Sequence, residues 1–262
     1  MWTMARTSDR VRAIVVAVTA VAQAVAAPLT NWALGQTATT GAISDANISS
    51  VTPADYAFTV WGLIYAACFA LAIYQLLPSQ QQRAVHRQTG WWLAGAFFCA
   101  ALWVPIFGTR SLWLAQILIL ILVGYLVVAA RSFVVLGPAP TAAEEVFLRL
   151  PVMIYLGWAT LAAAAGFAAT FRSWGMPASA RWVNAIGTLL LVGVLVVSFL
   201  VVFRLVAVLG FLLTACWALF AVILATDSNS IRNASVLAIV IMVAVVIGRT
   251  VRSTNRRAVL FG

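Results

Sequence analysis

The sequence predicts an all-α fold: a polytopic transmembrane helical bundle of about eight helices. Three observations point there. Hydrophobic residues make up 64% of the chain and charged residues only 8%, whereas a soluble domain carries about 25% charged residues. There is too little polar sequence to wrap a core in water. The apolar residues also fall in runs of about 20, the length needed to cross a hydrocarbon layer. Finally, every one of the 16 cations is an arginine, and these are set singly between the runs, where they report membrane sidedness. The expected organisation is one integral membrane domain over residues 1–262.

The first predicted span covers 11–34. It follows Arg6, Arg10 and Arg12, which resembles the start of a signal peptide, but it runs on long enough to span. Residues 35–51 are rich in Ser, Thr, Gly and Asn and read as a polar loop. Span 2 covers 54–77. Thr52 is placed to cap it, Pro53 suits a first helical position, and Asp55 favours the positive helix end. Spans 3, 4 and 5 are expected at 90–107, 111–133 and 147–170, with Pro138 and Pro140 breaking the chain before Glu144 and Glu145.

The next apolar run is too long for one helix, and Arg204 divides it. A charge at mid-membrane costs about 2.5 to 3.5 kcal/mol on insertion scales, so Arg204 belongs at a tight interfacial turn between spans at 183–203 and 205–224. The last span is 235–250. With the N-terminus inside, eight spans place twelve arginines on the cytoplasmic side and four outside (Arg110, Arg172, Arg181 and Arg232). Seven spans would put the last four arginines outside, against the positive-inside rule. Both termini are therefore expected in the cytoplasm of a bacterial cell, with the chain in its plasma membrane.

Composition also excludes function classes. A net charge of +10 would suit nucleic acid only if the arginines formed one face, and they do not. The three cysteines lie inside apolar runs and make no disulfide framework. His86 is the only histidine, so no histidine-based metal site or Ser-His-Asp triad is available without it, and it reads as a solvated residue in a polar loop. No phosphate-binding loop, zinc-protease, nucleophile-elbow or dinucleotide motif occurs. No acid or lysine lies at mid-span, which argues against a proton-driven antiporter. Neither a catalytic group, a metal nor a cofactor is expected. A loose sterol-type pattern, Val123-Gly124-Tyr125 followed by Arg131, is of a kind that arises by chance in so apolar a chain.

What remains is aromatic. In span 2, Phe58, Trp61, Tyr65, Cys68, Ala72 and Gln75 recur at helical spacing and share one face. The face reads either as ordinary packing or as one wall of a cavity for a flat apolar ligand, with an amide at its end. Span 5 carries Tyr155 and Trp158, then a stretch of Ala and Gly in which Ala162 and Gly166 permit close helix approach. Trp103 sits near the end of span 3. Trp217 sits in the middle of span 7, where its indole N–H needs a partner. The candidate ligand-binding set is therefore Phe58, Trp61, Tyr65, Gln75, Trp103, Tyr155, Trp158 and Trp217.

The segment Thr52-Pro53-Ala54-Asp55-Tyr56-Ala57-Phe58-Thr59-Val60-Trp61-Gly62-Leu63-Ile64-Tyr65 resembles the Pro, Phe and Trp-x-x-x-Tyr pattern of the TspO/MBR family, the tryptophan-rich sensory proteins. It is most similar to the longer bacterial branch, with which it shares Ile43-Ser44-Asp45, Leu150-Pro151 and Ile154-Tyr155-Leu156-Gly157-Trp158. The resemblance covers residues 30–170. It implies a membrane protein that binds flat hydrophobic ligands such as porphyrins and sterols, in a regulatory or transport role. The chain departs from the short family members in its eight helices, in Phe58 standing one residue nearer to Trp61, in Tyr56 where a Trp is usual, and in Ala100 where Asn precedes the helix 3 Trp.

Three functions follow as expectations. The first is a binder of a flat hydrophobic tetrapyrrole, sterol-like or isoprenoid ligand. The second is a transporter of a small lipophilic solute. The third is a membrane enzyme of isoprenoid or tetrapyrrole metabolism, which lacks a visible polar cluster. The expected partners are membrane lipids and a hydrophobic small molecule, with a homodimer left open and nucleic acid excluded.

Overall fold

Eight helices carry the apolar runs in the computed structural model, which describes residues 7–175 and 180–262. They are α1 (Thr7–Leu34), α2 (Val60–Leu76), α3 (Ala84–Gly108), α4 (Leu112–Leu136), α5 (Leu150–Ser173), α6 (Ala180–Arg204), α7 (Leu209–Ala225) and α8 (Asn229–Arg252). No strand occurs among the described residues. Seven helical stretches are long and apolar enough to cross a membrane. The remaining helix, α7, has 17 residues, or about 26 Å at the α-helical rise, the short end of the spanning range. Arg6 and the side chain of Arg181 lie outside the described residues.

The division at Arg204 follows from tertiary bonds. Helix α6 ends at Arg204, Ala207 turns the chain with φ 59°, and α7 starts at Leu209. The N–H groups of Ala207 and Val208 donate to the Ala258 and Val259 carbonyls at 3.3 and 3.1 Å. Arg249 of α8 donates through Nη1 to the carbonyls of Val202 and Leu205. The Arg249 bonds satisfy carbonyls that the end of α6 leaves without intrahelical partners.

Three expectations are corrected. Residues 35–51 are not a plain loop: they hold a 3₁₀ turn at Gln36–Ala38 and a short helix at Thr40–Ala46, capped by the Thr39 hydroxyl. Thr52 does not cap α2. Its hydroxyl accepts from Ser49 N–H at 2.9 Å, and the chain continues through a 3₁₀ segment, Asp55–Thr59, before α2 begins at Val60. The cause is α7: Ala54 N–H donates to Ala221 O at 3.2 Å, and Trp217 Nε1 donates to Ala57 O at 3.2 Å. Those bonds hold the segment against α7 and delay the helix. His86 is not solvated. Helix α3 starts six residues earlier than predicted, which carries His86 into the interior.

Helix α5 is the centre of the bundle. It packs against α4, α7, α6 and α2, while α1 lies against α3 and α2, and α8 against α6 and α7. Small residues make the tightest crossing possible. A Cβ on Gly157 would stand 2.6 Å from Phe211 O, and one on Gly210 would stand 2.8 Å from Leu150 O. The Thr214 hydroxyl bridges the crossing by donating to Ile154 O at 3.0 Å.

Ion pairs fasten one end of the bundle, where most arginines gather. Buried Asp9 accepts from Arg12 at 2.7 Å and from Arg87 at 2.6 and 2.9 Å. Buried Glu144 accepts from Arg83 at 2.5 Å and from Arg149 at 2.7 and 2.9 Å. Glu145 accepts from Arg257 at 2.7 and 2.8 Å. These three carboxylates, each in or next to a spanning helix, are thus held by guanidinium groups, as the cost of burying charge requires.

Candidate functional site

The aromatic face of α2 turns inward. Cys68, Ala72 and Gln75 are buried, and Trp61 stands at a junction of four rings. It stacks on Tyr65 (5.6 Å between centroids, 27°), lies tilted against Trp103 (6.0 Å, 31°), and meets Tyr155 and Trp158 edge-on at 6.0 and 5.9 Å. Phe58, delivered by the 3₁₀ segment, meets Trp158 edge-on at 6.1 Å. Such offset and edge contacts suit the ring quadrupole.

Beside this junction lies a cavity. Phe58 and Trp61 form one wall, and Trp103 and Phe107 of α3, stacked at 4.8 Å, form a second. The small residues of α5, from Ala162 to Ala169, form a third. Leu191 of α6 with Ala218 and Val222 of α7 close the fourth side. Thr40, Ser44 and the 51–53 segment roof it. The space reachable by the centres of water-sized molecules is about 60 Å³, several times what one water needs.

The Ala and Gly stretch of α5 makes this room. Gly166 lies against the Gln116 side chain, which is held in turn by its Nε2 donating to Ala163 O at 3.0 Å. The small residues therefore serve two surfaces, one toward α4 and one toward the cavity.

The structure brings Phe58, Trp61, Trp103 and Trp158 together around the cavity. Tyr65 and Tyr155 line a smaller void behind the Trp61 and Trp103 rings. Two of the eight predicted residues do not line either space. Gln75 is 14 positions beyond Trp61, about 21 Å along the helix, and its buried amide has no hydrogen-bond partner. Trp217 is occupied in holding the 3₁₀ segment, with its indole bound to Ala57 O and its ring edge-on to Tyr56 at 5.1 Å.

Trp158 is the residue of most chemical interest. It is 2% exposed, it lines the cavity, and its indole nitrogen has no hydrogen-bond partner. A buried N–H left unsatisfied costs about 1 to 3 kcal/mol; the nitrogen itself is sealed from water-sized molecules, so an acceptor must open a path to the indole edge to recover that cost. The other polar side chains of the lining are the hydroxyls of Thr40, Ser44 and Thr52 and the indoles of Trp61 and Trp103. Beneath the ring junction, the Tyr155 hydroxyl donates to Gln23 Oε1 at 3.1 Å in the interior.

Sequence reasoning missed Phe107, Gln23 and the roof. The pointers were present: Gln23 is a lone amide in an apolar run, and such residues face the bundle interior. Phe107 follows Trp103 at helical spacing.

A family model described as TSPO-like protein matches residues 13–249. The chain belongs to the TSPO-like protein family. No curated protein and no solved structure matches it. The matched region takes in all the residues of the cavity and reaches through α6, α7 and most of α8. The similarity to the TSPO-like family therefore extends over the last three helices as well as the aromatic segment, and with the long apolar helices it makes the chain an integral, multi-pass membrane protein.

Proposed function

We propose that this TSPO-like protein binds a flat, largely apolar ligand of the tetrapyrrole, sterol-like or isoprenoid kind in the cavity between α2, α3 and α5. Binding would serve a sensory, regulatory or transport role. The observation that carries the reading is Trp158: a buried indole N–H without a partner, beside a cavity whose other walls are Phe58, Trp61, Trp103 and alanines. Pockets of this kind supply apolar contact over most of the ligand and orient it by a few polar groups. A ligand carrying one hydrogen-bond acceptor on a flat apolar frame matches that balance. A ligand as large as a porphyrin requires the roof formed by residues 40–53 to move outward, since the free volume is small.

On this reading the ligand is bound rather than converted; the polar side chains that line the cavity are hydroxyls and indoles. The arginine-rich end faces the cytoplasm of a bacterial cell, by the arginine bias of the loops.

The test is tryptophan fluorescence of the detergent-solubilised protein titrated with protoporphyrin or heme. Saturable quenching is expected. Trp158→Phe keeps an aromatic ring but removes the pyrrole ring with its N–H, and it should weaken binding at least about five- to tenfold, the worth of one hydrogen bond. Trp61→Ala should weaken it further. Linear, non-saturable quenching, or equal affinities in all three proteins, would refute the reading.

A further inference from the structure

A second concave surface lies away from the aromatic cavity, between α6 and α8 at the arginine-rich end. It is an open groove of about 640 Å³. Its apolar part is made by Phe199 and Phe203 of α6, stacked at 5.5 Å with their planes 8° apart, and by Val245 and Gly248 of α8. Phe199 is 40% and Phe203 51% exposed. A Cβ added to Gly248 would meet nothing within 4 Å, so the groove reaches the backbone of α8. Its polar part is at one end: Arg249, Arg252 and Ser253 lie where α8 stops.

The two arginines differ. Arg249 is tied to the end of α6, but both its bonds use Nη1. Exposed Arg252 makes no ion pair or hydrogen bond among the described residues. No carboxylate lines the groove among the described residues. This contrasts with Asp9, Glu144 and Glu145 at the same end, each paired with arginine. The groove therefore presents an apolar trough and uncompensated positive charge at its mouth, where spanning helix α8 ends.

We infer that the α6–α8 groove is a binding site for an anionic glycerophospholipid, with one acyl chain along Phe199, Phe203 and Gly248 and the phosphate on Arg252 and Arg249. Charge complementarity selects this occupant. A zwitterionic lipid would bring its own cation to a rim already positive, and a second protein copy would have to supply a carboxylate to Arg252, whereas Asp9, Glu144 and Glu145 at this end are already paired with arginine. Basic pockets between spanning helices recognise anionic headgroups by this combination. The site is independent of the aromatic cavity and of any ligand held there.

Native mass spectrometry of the full-length, delipidated protein in detergent tests this. Phosphatidylglycerol and phosphatidylcholine of identical acyl chains are added in competition. Phosphatidylglycerol should be retained about fivefold more, the preference expected of one interfacial arginine. Arg252→Gln should abolish that preference. Gly248→Phe, whose Cβ meets nothing within 4 Å and whose ring then occupies the groove, should lower retention of both lipids. Circular dichroism melting confirms that each variant is folded. Equal retention of the two lipids by the native chain overturns the inference. So does an unchanged preference in Arg252→Gln, competition by glycerol phosphate as strong as by the whole lipid, or a dimer that displaces lipid.

Discussion

Trp158 and Gln75 are both buried and both leave polar atoms without a protein partner, but of the two Trp158 lines the aromatic cavity and Gln75 does not. Helical spacing identifies both as inward-facing and cannot tell them apart, because it carries no information on how far along the axis a neighbouring helix gives way. Glu144 and Arg149 show the opposite arrangement, in which every charge is met. Arg149 is 1% exposed and donates twice to Glu144, donates to Gly137 O at 2.9 Å, and lies over the Phe133 ring. Glu144→Ala would leave that guanidinium buried with no counter-charge, so the variant should lose about 3 to 5 kcal/mol. Thermal unfolding in detergent reads this as a large fall in midpoint. Arg149→Met should cost less, since it removes the buried cation and leaves Glu144 with Arg83.

At the scale of helices, the crossing of α5 and α7 depends on two glycines. Their backbones come so close that Gly157 and Gly210 each face a carbonyl of the other helix. Gly157→Leu would push α7 away, loosening Ala218 and Val222 from the cavity and Trp217 from Ala57 O. Overpacking of this kind costs about 1 to 3 kcal/mol. The expected outcome is a lower unfolding midpoint together with a shift of tryptophan emission, because the Trp217 indole loses its acceptor. A variant that melts like the native chain would show that the helices separate at no cost. The alanine run of α5 was readable as a packing surface. Its second use, as the cavity wall, arises only because Leu191, Ala218 and Val222 leave space opposite it.

For the whole molecule, the arginine distribution makes a prediction of sidedness. Green fluorescent protein fused after Gly262 should fluoresce, and alkaline phosphatase fused there should be inactive, if the arginine-rich end is cytoplasmic. The reverse result would mean either that the eight-span topology is inverted or that an odd number of spans crosses the membrane. The anionic lipid groove keeps its chemistry in either orientation, since both leaflets present phosphate.

The membrane bundle and the break after Arg204 were legible in the chain, because burying peptide groups in hydrocarbon leaves a helix as the only outlet for a long apolar run. So was the inward aromatic face of α2, because periodicity is a local property. The 3₁₀ entry to α2, the burial of His86, the diversion of Trp217 into a structural bond and the cavity itself were decided by packing. Each depends on what a distant helix presents at the same depth, and a one-dimensional pattern does not contain that distance.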